Sequence, residues 1–474
     1  MAGLNPPPVV FQGRCWSSSE LIGMAVGWRN AVCETFRPLP ALMTMVMANH
    51  PEAVALFFAL SSFPVPLILL PPDPKAWRSS PPVPPGTPLC LLPSFRSLAH
   101  AGEQLGLTVT VLPEPDVLTG LKGEPPPFLT SPGVVLFTSG STGLPKPVYR
   151  ATARILAGIS AVFGAFHVPP GGGVVGALPV AYSHGLGQCL LAATVLQSPL
   201  RLLERFDHRA VLSLFASGQY QYWAGTPLMA DVLARCPLPR SQAAPPVCAV
   251  GGGRTEAVFH AFLKRFGVPL RRTYGTTEAP QIAADTSAPS QVRPETVGPP
   301  LPGVQVSIGD DPREPFRPGQ TGRIWVKSPW GMEGYGFPPA VEPGEDLEGW
   351  WPTSDIGFLD ESGYLTLIGR MDDCVKLNSG YLANLADIAG VLTGCPGVTD
   401  VAVVPIDAAT GPAIGALVES DTLSPIELRG HLARSLPPWS HPQVLQVTAQ
   451  LPRLPGGKPD RRACVVILEK ALFE

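Results

Sequence analysis

Up to about Gly298, apolar runs of strand length keep alternating with stretches of helical period. Residues 133–137 (GVVLF), 174–178 (VVGAL), 246–250 (PVCAV) and 270–273 each lead into a turn-rich segment. Strands followed by helices in this way predict a mainly parallel sheet covered on both faces. The most apolar run, residues 53–70, approaches membrane-spanning length, but Pro64 and Pro66 interrupt it. It reads as a buried helix followed by a buried strand. Beyond Gly298 the pattern shortens and alternates, at 304–308, 322–326 and 364–368, which predicts a smaller β-rich unit. From Asp372 a compact α+β pattern follows, with strands at 398–404, 416–419 and 443–448 and a helix at 425–436. No internal repeat is visible.

Composition narrows the function classes. A chain of 474 residues, 45% apolar and 15% charged, can bury a large core and is not disordered. At a net charge of −3, with no block of Lys or Arg, it lacks the basic field of a nucleic-acid binder. The cysteines are dispersed from Cys15 to Cys464 without a CxxC pair, which reads as reduced thiols in a cytoplasmic protein. The start, MAGLNPPPVV, has no signal-peptide pattern. Residues 71–87 (PPDPKAWRSSPPVPPGT) are proline-dense and predict an extended surface loop without chemistry.

Four segments carry candidate chemistry. In residues 136–147 (LFTSGSTGLPKP) a strand delivers Thr138, Ser139, Ser141 and Thr142, interleaved with Gly140 and Gly143, toward Lys146. Small residues let backbone N–H groups approach phosphate oxygens, and hydroxyls and a lysine add donors and charge. It is not a Walker loop, because Pro145 stands where that motif needs glycine. Residues 274–278 (YGTTE) offer an aromatic face, the hydroxyls of Thr276 and Thr277, and Glu278 for Mg²⁺. In residues 351–370 (WPTSDIGFLDESGYLTLIGR), Asp355 opens a hairpin-like stretch that Arg370 closes, a carboxylate for sugar hydroxyls and an arginine for phosphate. Residues 451–461 (LPRLPGGKPDR) expose Lys458 on a glycine turn. Each segment alone also reads as an ordinary loop or turn.

Their order and spacing together resemble the adenylate-forming superfamily of acyl-CoA synthetases, aryl-acid ligases and peptide-synthetase adenylation domains, over nearly the whole chain. The resemblance implies a large N-terminal ATP- and acyl-binding domain over 1–371. A small mobile C-terminal domain over 372–474 would turn at a hinge on Asp372. It implies that the 138–146 loop holds the β- and γ-phosphates of ATP. Gly251, Gly252 and Gly253, with Tyr274 and Gly275, would line the adenine. Thr277 and Glu278 would meet the α-phosphate and Mg²⁺, Asp355 the ribose with Arg370 nearby, and Lys458 would be the catalytic lysine. Residues 178–187 (LPVAYSHGLG) resemble the acyl-pocket entrance, with Tyr182 as an aromatic gate and His184 and Gly185 behind it. Trp223, Ala224 and Gly225 are expected to complete that pocket. The segment has Ala181, Tyr182 and Ser183 where amino-acid-activating relatives place an aspartate, so a small aryl or other non-amino acid is expected.

Three departures stand out: Pro147 after the loop lysine, Ser354 before Asp355, and residues 376–389, where Asp387 is the only acid and the usual proline is missing. The resemblance implies acyl transfer to a pantetheine thiol, of CoA or of an acyl carrier protein supplied in trans. An adenylating enzyme with a non-thiol acceptor, or an inactive nucleotide-binding partner protein, are the alternatives. No nucleic-acid partner and no membrane span are expected, and the chain is read as a monomer or homodimer.

Overall fold

The computed structural model describes all residues except 1–3, 78–82, 116–123, 139–145, 237–243, 252–255, 345–346, 372–373, 377–381, 409–410, 454–458 and 473–474. Among the described residues, two eight-stranded sheets dominate. In the first, Leu270–Tyr274, Val247–Gly251, Tyr222–Gly225, Val174–Gly176, Leu200–Leu202 and Val9–Phe11 run parallel in that order. In the second, Gly133–Phe137, Leu67–Leu70, Met43–Val46, Pro88–Leu91 and Thr108–Val111 are parallel, and Pro147–Ala151 turns back antiparallel beside Gly133–Phe137.

The central strands Met43–Val46 and Leu67–Leu70 are buried at every position, because packing covers both faces. Between them Pro51–Ser61 forms a helix apolar nearly all round. Pro51 occupies its first turn, where no backbone donor is lost, and His50 caps it by accepting from the Glu52 N–H. The helix and strand expected within 53–70 are therefore both present, and no helix among the described residues is long and apolar enough to cross a membrane. Side chains from both sheets, among them Val174, Tyr222, Met45 and Leu136, share one core with this helix and with Thr152–Phe166.

One expectation fails. The proline-dense segment is not merely an extended surface loop: it contains the short helix Pro74–Trp77, whose Trp77 is buried and donates its indole N–H to the Pro71 carbonyl at 2.7 Å. A large aromatic with a satisfied polar edge outweighs the local proline pattern.

The β-rich unit is a four-stranded antiparallel sheet in the order Gln305–Ile308, Gly322–Lys327, Trp351–Leu359, Leu365–Arg370. Asp355 lies in the middle of its strand, opposite Arg370, rather than at the start of the hairpin. Further along, Asp400–Ala408, Gly411–Glu419 and Val444–Thr448 form a three-stranded sheet. Helices Leu385–Thr393 and Pro425–Ser435 share one apolar cluster with it, and Arg461–Lys470 shares another. The fold is α/β, parallel-rich, with a β-rich unit and an α+β C-terminal region. The cysteines whose side chains are described are all free thiols.

Candidate active site

Parallel sheets collect functional loops at the carboxyl ends of their strands. Here Thr138 follows Gly133–Phe137, Gly251 ends Val247–Gly251, and Tyr274 ends Leu270–Tyr274. Residues Ser139, Gly140, Ser141, Thr142 and Gly143 lie outside the described residues, but both ends of their loop are fixed. The Thr138 N–H donates to the Lys146 carbonyl at 3.0 Å, and the Lys146 N–H donates to Thr138 Oγ1 at 2.9 Å. Pro147 enters the antiparallel strand opposite Phe137.

Lys146 Nζ stands 5.0 Å from the ring centroid of Tyr335, a cation–π distance. The Tyr335 hydroxyl donates to Glu278 Oε1 at 2.9 Å. One tyrosine therefore links the loop lysine to the YGTTE carboxylate. Within that motif the turn is tight: a side chain on Gly275 would meet the Gln281 N–H nitrogen at 2.7 Å, so only glycine fits. The Thr276 hydroxyl accepts from the Ala279 N–H at 3.0 Å and closes the turn, while Thr277 is half-buried beside it. A cleft of about 490 Å³ opens next to Glu278, bounded also by Ser328, Lys327 and Trp351.

The third group is joined across two sheets. The Tyr274 hydroxyl donates to Asp355 Oδ2 at 2.7 Å, and Arg370 Nε lies 3.9 Å from Asp355 Oδ1. Burial, reinforced by the neighbouring carboxylate, raises the Tyr274 phenol well above its ordinary value, so it remains a donor. Asp355 is itself oriented by its N–H donating to Thr353 Oγ1 at 3.1 Å.

Tyr182, the expected gate, is 43% exposed and stands at the start of the helical turns Ser183–Gly185. Burial first, and then the charge of Asp73, raise its phenol, so the proline-dense segment lies close to Tyr182. The turn continues as the wider π-type Leu186–Leu191. Gly185 is obligatory, since a Cβ there would lie 2.1 Å from the Pro179 carbonyl oxygen. His184 sits against Gly251, where a Cβ would be 3.0 Å from its Cε1, and burial lowers it to about 4, leaving it neutral. Gly252 and Gly253 lie outside the described residues.

Trp223 faces away from its two strand neighbours. Strand alternation sends Tyr222 and Ala224 into the core between the sheets and Trp223 the other way, where it stacks on Phe262 and meets Phe215 edge-on. Gly225 is bare because a Cβ would strike that indole at 2.3 Å.

Sequence reasoning missed Tyr335, Arg150 and Gln281. Gln281 has φ +49°, its backbone carbonyl accepts from Trp330 Nε1 at 3.1 Å, and its buried Oε1 has no partner. Arg150 is buried on Pro147–Ala151 at a position whose alternation with Val148 points inward. A charge at an inward strand position was readable; nothing marked Tyr335.

Lys458 and Asp372 lie outside the described residues. The chain on either side of 454–458 is anchored: Arg453 pairs with Asp400 and Glu419, each at 2.8 Å, and Asp460 caps Arg461–Lys470. Asn384, after the expected hinge, caps Leu385–Thr393 and donates to the Ile368 carbonyl at 2.7 Å.

The parallel-rich pair of sheets thus presents Thr138 and Tyr274 at strand ends, with Tyr274 reaching across to Asp355 on the antiparallel sheet. The AMP-binding enzyme family model matches residues 43–336, and the chain belongs to that family. It is similar to a sulfoacetate–CoA ligase of Cupriavidus necator, 28% identical over 77% of this chain and 75% of that one. Further CoA ligases at 24–26% identity are matched over 60–64% of their own length. Among solved structures, ATP-bound MatB of Rhodopseudomonas palustris is similar in fold, with a TM-score of 0.78 at 21% identity over 99% of this chain and 97% of that one. The amide bond synthetase McbA of Marinactinospora thermotolerans is 26% identical, with a TM-score of 0.76 over 98% of this chain and 97% of that one.

Proposed function

We propose that the protein activates a small non-amino carboxylic acid with ATP and then passes the acyl group to a pantetheine thiol, of CoA or of a carrier protein. The observation that carries this is the linked set Lys146–Tyr335–Glu278 beside the set Tyr274–Asp355–Arg370, gathered at the strand end that Tyr274 closes. Similarity to the sulfoacetate–CoA ligase supports CoA as the acceptor.

In the first step an acid oxygen attacks the α-phosphorus. A P–O bond forms, the bond to the bridging oxygen breaks, and its electron pair leaves with pyrophosphate. Two anions approach each other, so catalysis is positioning and charge neutralisation. Lys146 and the 138–146 loop take the β- and γ-phosphates, and Thr277 the α-phosphate. Asp355 takes the ribose hydroxyls, with Arg370 beside it. Tyr274, Gly275 and Gly251 flank the adenine, and Lys458 bridges the carboxylate and the α-phosphate. Among the described residues no three His, Cys, Asp or Glu side chains cluster as a metal cage. Glu278, one hard oxygen donor, fits Mg²⁺, which is commonly held by one or two carboxylates plus phosphates. When bound, the ion neutralises phosphate charge. In the second step the thiol sulfur attacks the acyl carbon, the acyl C–O bond breaks, AMP leaves, and the thiol proton passes to solvent.

For this second step residues 372–474 form a mobile unit that turns at Asp372, relative to 1–371. Tyr182 and His184 border the acid, and a cytoplasmic location fits the free thiols.

The test is ATP–pyrophosphate exchange across a panel of carboxylates, followed by CoA and carrier proteins with the best acid. Exchange with no acid would sink the reading. Similarity to an amide bond synthetase favours a second acceptor, an amine. Amide product with amines and no thioester with CoA would select it.

A further inference from the structure

Arg150 is 2% exposed, and one of its donors, Nη1, reaches Ser183 Oγ at 3.3 Å. Its Nε and Nη2 have no hydrogen-bond partner. Those two donors form one edge of the guanidinium, the fork that takes a carboxylate or sulfonate with two parallel bonds. Burial lowers Arg150 to about 9, with no carboxylate opposing the shift, so it stays charged at neutral pH. A buried cation without a counter-charge is disfavoured unless something else supplies that charge.

Its place says what does. Ser183 is partly exposed and follows the exposed gate residue Tyr182, while Gly185 locks the backbone against Pro179. Ser183 is thus the layer between the guanidinium and the acid's entrance. An anion arriving past Tyr182 would replace the Ser183 hydroxyl as the partner of Nη1, and rotation of the side chain would turn the open edge toward it.

We infer that Arg150 anchors a second anionic group, carboxylate or sulfonate, at the end of the acid remote from the carboxylate being activated. The substrate class is then short dianionic acids. This rests on the adenylation reading and deepens it.

The experiment compares pyrophosphate exchange with malonate against propanoate, succinate against butanoate, and sulfoacetate against propanoate, in wild type, Arg150→Met and Arg150→Lys. Wild type should prefer the dianions, chiefly through KM. In Arg150→Met the dianion-to-monoanion ratio of kcat/KM should fall on the order of 10- to 100-fold, with Arg150→Lys in between. A merely structural arginine would lower both acids alike and leave the ratio unchanged, which would overturn the assignment, as would a wild type that prefers monoanions. If wild type exchanges with no acid, the adenylation reading fails separately. Thermal melting with succinate then decides: stabilisation of wild type but not of Arg150→Met sustains the anion site, and equal or absent shifts overturn it.

Discussion

On the side of the cleft assigned to ATP, Tyr274 gives its hydroxyl proton to Asp355, Tyr335 gives its own to Glu278, and Lys146 rests over the Tyr335 ring. On the side assigned to the acid, Arg150 keeps two unpaired donors, Gln281 an unpaired acceptor, and His184 is held neutral by burial. The first side is organised before any ligand arrives. The second stores polar groups whose partners the protein does not provide. Since a buried polar group without a partner is costly, the asymmetry is what the proposed anion anchor at Arg150 would resolve. ATP is the same in every member of such a family, and the acid is not.

The largest effect should come from the lysine proposed to bridge the carboxylate and the α-phosphate. Lys458→Ala is expected to lower ATP–pyrophosphate exchange on the order of 10²–10³-fold or more, as loss of one preorganised electrostatic contact does elsewhere, with unchanged thermal melting. Exchange that survives in a folded variant would break the mechanism, and with it the division into two sides.

His184 tests the acid side through stability. Its folded value of about 4 lies below the ordinary 6.5. Between these values the unfolded chain binds the extra proton, so stability rises with pH there. The contribution is full above pH 6.5 and fades as pH falls toward 4, by on the order of 3 kcal/mol across the window. Urea unfolding at pH 7.5 and 4.5 should show His184→Asn with a smaller loss than wild type. Parallel losses would mean the ring is not held neutral by burial.

The ATP side was the more legible in the sequence for a physical reason. A loop that approaches phosphates needs glycines and hydroxyls in fixed local order, so residues 136–147 and 274–278 announce themselves. The strands behind them were legible too, because apolar runs such as Leu67–Leu70 are buried on both faces. What was not legible are contacts made across long chain separations. Tyr335 meets Glu278 only because Gly334–Phe337 adds to the sheet beside Pro147–Ala151. The facing of Trp223 was not legible either, because a tryptophan beside a glycine fits a pocket wall and a core stack equally well, and only the phase of the strand decides between them. Trp77 was missed because seven prolines around one aromatic outweigh it in any local reading.

Asp355→Ala would sharpen the ATP side. It removes the acceptor of the buried Tyr274 hydroxyl, at a cost of about 1–3 kcal/mol in stability. Loss of the carboxylate should also raise the KM for ATP on the order of 10-fold with little change in the KM for the acid. An equal rise in both constants would mean that Asp355 supports the fold of the whole site rather than the nucleotide.

Tyr335 gives the smallest and most discriminating effect, because its hydroxyl and its ring serve different neighbours. Tyr335→Phe removes the bond to Glu278 and keeps the ring beneath Lys146. A neutral donor to a carboxylate lost at a partly exposed position corresponds to roughly 1 kcal/mol, or about 5-fold in kcat for exchange. Tyr335→Ala removes both contacts, and the cation–π term adds about 0.5–1 kcal/mol more. The increment should appear in the KM for ATP, since Lys146 is assigned to the phosphates, whereas the hydroxyl effect should appear in the magnesium dependence, since Glu278 is assigned to the ion. If Tyr335→Phe and Tyr335→Ala behave alike in both measurements, the ring does not position Lys146. If neither differs from wild type, the pairing on the ATP side is a packing feature and the contrast with the acid side narrows to Asp355 and Tyr274.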